Sequence, residues 1–138
     1  MKDKATITKS VFSILLILYI TAVVLLKVIK PMSMHFDGWS LQYDWNPLID
    51  PYTWRFQWSN YLANIALMIP GGIFTRFFVK NNMIFGVICV ASCFLLEWLQ
   101  PLFRSGVFDM SSVVLSVIGF VLGGFVLHCI RKYTSEKL

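Results

Sequence analysis

Charge is scarce in this chain. Of its 138 residues only 14% are Asp, Glu, Lys or Arg, against about 25% in ordinary soluble domains. That shortage excludes a conventional water-soluble fold. Histidine is nearly absent too: His35 and His128 stand far apart, so the sequence offers no histidine-based metal set and no nucleophile–histidine pair. The three cysteines show no Cys-x-x-Cys or Cys/His ligand spacing. Cys89 and Cys93 lie one helical turn apart in an apolar run and read as small buried hydrophobes. Phosphate-cradling glycine motifs are missing. Basic residues exceed acidic ones, 12 to 7, yet no basic helix interleaved with aromatics is present, which removes nucleic acid from the partners. No cofactor, metal ligand or catalytic residue is assigned.

What the chain has in quantity is apolar surface. It is 57% apolar and 16% aromatic, with a mean hydropathy of +0.69. Four runs, about residues 10–29, 59–79, 83–103 and 111–130, approach the ~20 residues a helix needs to cross the hydrocarbon core. The first follows a basic segment, as a signal peptide would, but no small-residue cleavage site comes after it. It is therefore read as an uncleaved first span, with Lys9 and Lys27 snorkelling to the interface at its two ends. The expected fold is an all-α integral membrane protein: four transmembrane helices forming a single domain over residues 1–138, with one long outward loop.

The basic residues give the orientation. Lys2, Lys4 and Lys9 precede the first span, Arg76 and Lys80 lie at the turn after the second, and Arg131, Lys132 and Lys137 end the chain. With four spans these eight share one side, leaving Lys27, Lys30, Arg55 and Arg104 for the other. The positive-inside rule then puts both termini in the cytoplasm of a multi-pass plasma-membrane protein. The loop of residues 30–58 faces outward. Trp39, Tyr43, Trp45, Tyr52, Trp54 and Trp58 crowd it, with Pro47 and Pro51 among them, and such amphipathic rings suit the headgroup zone. An interfacial belt and a lid over a site are both compatible with that composition.

The polar residues of the apolar runs are few and patterned. Glu97, Gln100 and Arg104 are spaced three and then four apart, one helical face of the third span. Glu97 lies roughly 9 Å below the outer end of that span at 1.5 Å per residue. Asn64 in the second span and Ser116 in the fourth lie at a similar depth. Pro101 should kink or end the third helix, and Asp109 is placed to cap the fourth. A charged residue well inside a span is costly, about 2.5–3.5 kcal/mol on insertion scales, so such residues face the bundle interior, find partners and mark function. Arg104 is the expected partner of Glu97 or Asp109. Ser112, Ser116, Gly119 and Gly123 form a stripe of small residues that lets helix backbones approach. Pro70-Gly71-Gly72 predicts a kink or a break within the second span, and close packing is the favoured reason for these small residues as well.

These residues form a recognisable series. Asn46-Pro47, Asn64 followed by Ile69-Pro70-Gly71, Glu97-x-x-Gln100, Gly106-x-x-Asp109, Gly119 and Gly123 together resemble the VanZ-like family of small bacterial membrane proteins, over about residues 45 to 124. The resemblance implies a bacterial cell envelope and lowered susceptibility to teicoplanin, a lipoglycopeptide antibiotic. The family usually carries a second aspartate and an asparagine where this chain has Ser112 and Ser116. Chemistry requiring both aspartates would be impaired here.

Three functions fit the residues. The first is a non-enzymatic membrane protein that binds a polar or amphiphilic ligand, such as a membrane lipid, a lipid-linked cell-wall precursor or the lipoglycopeptide itself. Its outward-facing polar pocket would be lined by Asn64, Glu97, Gln100, Arg104, Asp109, Ser112 and Ser116. The second is a membrane enzyme acting on a lipid-linked precursor, with Glu97 as a base and Arg104 on a phosphate. The third is a structural or assembly partner in which the same residues only clamp four helices together.

Overall fold

The computed structural model describes residues 2–28, 58–103 and 108–135. They form four helices: α1 (Lys2–Lys27), α2 (Trp58–Phe78), α3 (Asn82–Leu102) and α4 (Met110–Ser135). Each is long and apolar enough to cross a membrane, and among the described residues there is no strand. At 1.5 Å per residue, α2 and α3 are each about 32 Å long, close to the ~30 Å hydrocarbon thickness. The expected four-span, all-α fold is the observed one. The first helix begins eight residues earlier than its apolar run, at Lys2.

Local chemistry explains the helix ends. Asn81 caps α3 in an extended conformation, its side chain accepting hydrogen bonds from the amides of Met83 and Ile84. Pro101 has no amide proton to return to the Glu97 carbonyl, and α3 stops at Leu102. The Asp109 carboxylate accepts a hydrogen bond from the Ser111 amide at 2.8 Å, which makes Asp109 the expected cap of α4. At the α2–α3 turn, Arg76 donates to the carbonyl of Lys80 at 3.0 Å and to Asn82 Oδ1 at 2.7 Å. Arg131 of α4 reaches the carbonyls of Arg76 and Phe77. The Arg131 guanidinium thus satisfies carbonyls that the end of α2 leaves without helical partners, while Arg76 holds the turn to α3.

The most extensive contact joins α2 and α4. These helices run parallel, as the paired residues show: Asn64 meets Ser112, and Arg131 meets Arg76 and Phe77. Glycine permits the approach. A Cβ built at Gly72 would lie 1.8 Å from the Phe120 carbonyl oxygen, and one at Gly119 would lie 2.1 Å from that of Ile65. Pro70-Gly71-Gly72 does not break α2, which continues to Phe78. The predicted break is absent because α4 packs against this stretch, and α1 adds a hydrogen bond from the Tyr19 hydroxyl to the Leu67 carbonyl at 2.8 Å.

α1 sits at the margin of the bundle. Phe12 stacks on Phe77 with centroids 4.0 Å apart, and Val23 enters a small core with Met68, Cys89, Cys93, Phe108, Val113 and Phe120. Cys89 and Cys93 occupy that core as small apolar side chains. Most large apolar residues instead lie outside, Ile17 and Phe125 among them. That inverts the arrangement of a water-soluble protein and is what lipid as solvent requires.

Candidate functional site: a buried ion pair between four helices

Glu97 projects from α3 into the bundle and is only 2% exposed. Its partner comes from the far end of the sequence. Lys27, the last residue of α1, donates to Glu97 Oε1 at 2.6 Å and to the hydroxyl of Ser116 at 3.2 Å. Gln100, one turn along α3, donates its amide to Glu97 Oε2 at 2.5 Å. Both carboxylate oxygens are therefore engaged. Ser116 is completely buried, and the Lys27 side chain is nearly so.

This geometry corrects one expectation and leaves another untested. Lys27 does not snorkel outward: its four-carbon stem turns in and delivers the ammonium to the bundle interior. Arg104, favoured as partner by its place on the Glu97 face, lies outside the described residues, as does the aromatic segment 30–57. Among the described residues Glu97 is held by Lys27 and Gln100. The physical reason is reach. A lysine at a helix end can point either way along its own helix, and a buried carboxylate in a low dielectric makes the inward direction favourable.

A second group adjoins the first along α4. Asp109 accepts hydrogen bonds from the hydroxyls of Ser111 at 2.6 Å and Ser112 at 2.9 Å, and Asn64 of α2 donates to Ser112 at 3.4 Å. Ser112 and Ser116 are one turn apart, so α4 joins the two groups. Asn64, Gln100, Asp109 and Ser112 are each half-buried. Six of the seven sequence-predicted site residues are thus brought together at one level of the bundle, and Lys27 is the member that sequence reasoning misses. A basic residue at the end of a span, level with an acidic residue in another, is the signal that could have found it.

Among the described residues every buried side-chain nitrogen or oxygen has a partner, and no three His, Cys, Asp or Glu side chains gather to hold a metal ion. What the arrangement does chemically is neutralise a carboxylate inside the membrane while tying α1, α3 and α4 to one point. Fold and site together define a multi-pass, four-span membrane protein with a buried interhelical ion pair. No family model, curated protein or solved structure matches the chain.

Proposed function

We propose that the chain is a VanZ-like protein of the bacterial plasma membrane that lowers susceptibility to lipoglycopeptide antibiotics of the teicoplanin type by binding an amphiphile. Both termini are cytoplasmic in this reading. The observation that supports it is that all four helices send polar or charged side chains to one level, more polarity than four apolar helices need to pack. The buried Lys27–Glu97 pair positions the helices. The half-buried Asn64, Gln100, Asp109 and Ser112, with Arg104, make the polar contacts to a headgroup, a lipid-linked cell-wall precursor or the antibiotic.

The test is drug susceptibility in a host without its own copy, using Asp109→Asn and Asn64→Ala at matched expression. Asparagine caps a helix as well as aspartate does, so Asp109→Asn removes charge and leaves α4 intact. Lost protection in both variants supports ligand contact at this rim. Undiminished protection overturns it and leaves the purely structural clamp, a reading that the full pairing of Glu97 favours. The clamp predicts instead that only Glu97→Gln and Lys27→Met reduce protection, by lowering the amount of folded protein.

A further inference from the structure

The opposite end of the bundle, formed by the first turns of α1 and α3 and the last turns of α2 and α4, carries a separate concentration of charge. In sequence, the segments 2–9, 76–82 and 131–137 hold eight basic residues and two acidic ones, Asp3 and Glu136. The rest of the chain holds four basic and five acidic residues. Lys9, Lys80, Arg131 and Lys132 are exposed. Among the described residues the ion pair at Glu97 is the one salt bridge.

The two arginines here are pinned. Arg76 bonds the Lys80 carbonyl and Asn82 and lies over the Phe85 ring, 5.5 Å from its centroid. Arg131 bonds the Arg76 and Phe77 carbonyls and lies over the Phe77 ring at 5.5 Å. Arg131 thereby covers the carbonyl end of α2, the local source of negative dipole, and Arg76 covers the turn that follows it. The remaining field at this end is positive. Apolar side chains adjoin it on the outside: Phe78, Met83, Ile84, Ile130 and Tyr133 are all exposed. Phosphate-seeking cations therefore sit directly above surface that suits acyl chains.

We propose that this end of the bundle is a binding surface for anionic phospholipid headgroups, with Lys9, Lys80 and Lys132 supplying mobile charges around a fixed Arg76–Arg131 centre. Charge complementarity selects the phosphate, and the adjoining apolar side chains select a lipid over a soluble anion. The surface is independent of the polar level around Glu97, and its failure would leave that reading untouched.

The experiment reconstitutes the full chain in vesicles of equal phosphatidylglycerol and phosphatidylcholine with matched acyl chains, then counts lipids retained in native mass spectrometry. Wild-type protein should retain several phosphatidylglycerol molecules for each phosphatidylcholine, a ratio that falls as salt rises. Lys9→Gln/Lys80→Gln/Lys132→Gln should lose that preference, since each basic residue near an anionic surface contributes about a fivefold gain in affinity. Lys9→Arg/Lys80→Arg/Lys132→Arg, which keeps the charge, should retain it. Equal retention of the two lipids by wild-type protein, or a preference undiminished in the glutamine variant, would overturn the proposal. A poorly folded glutamine variant shifts the decision to wild type and its salt dependence.

Discussion

Lys27 and Glu97 are 70 residues apart in sequence and 2.6 Å apart in the bundle. Removing one member leaves the other buried without a counter-charge, which costs about 3–5 kcal/mol in measured cases. Glu97→Gln and Lys27→Met should each destabilise the folded chain by that order, read as a lower midpoint of unfolding in mixed detergent micelles. The double variant Lys27→Met/Glu97→Gln should recover a large part of the loss, because no charge is then stranded. Additive losses would mean that the two side chains act separately. The same scale shows what is legible. Glu97 is identifiable from sequence because an acidic residue inside an apolar run is expensive wherever it points. Lys27 is not, because a lysine at the end of a span satisfies the ordinary interfacial pattern and only the three-dimensional path of α1 decides otherwise.

Between elements, the α2–α4 contact rests on missing side chains. Gly119→Ala would put a methyl group 2.1 Å from the Ile65 carbonyl oxygen, and Gly72→Ala one 1.8 Å from that of Phe120. Backbone must then move. Each should cost at least the ~1–3 kcal/mol of an overpacked core and lower the yield of folded protein after detergent extraction. Gly86→Ala is the matched control: nothing lies within 4 Å of a Cβ there, and alanine is the better helix former by about 1 kcal/mol. It should be neutral or stabilising, as thermal unfolding of the three purified variants would show. The stripe Ser112, Ser116, Gly119, Gly123 is visible in the sequence, but its members play two different parts. The glycines pack on α2, while the serines carry hydrogen bonds to Asp109, Asn64 and Lys27. Pro70-Gly71-Gly72 packs against its neighbours as expected, and α2 runs through it without a break. Small residues in one helix look the same whether they mark a bend or face a neighbour, and the neighbour is distant in sequence.

For the molecule as a whole, composition identifies the solvent and the positive-inside rule predicts the orientation. Four helices with short turns at α2–α3 and α3–α4 must place the start of α1 and the end of α4 at the same end of the bundle. Which side of the membrane that end faces depends on charge, and the basic residues are concentrated there. The cysteines provide a clean way to ask. Cys89 and Cys93 are buried in the core, and only Cys129 among the three is exposed, so Cys129→Ser gives a background with no exposed thiol. On that background Ser135→Cys, at the last turn of α4, should react with a membrane-impermeant maleimide only after cells are permeabilised. Asp44→Cys, between α1 and α2 in sequence, should react in intact cells. The reverse pattern would overturn the assignment of cytoplasmic termini. It would also move the polar level around Glu97 into the inner half of the membrane, where an antibiotic arriving from outside could not meet it. The labelling therefore bears on function as well as topology: protection by contact with an external amphiphile requires the Asn64–Asp109 rim and the Asp44→Cys thiol to share a side.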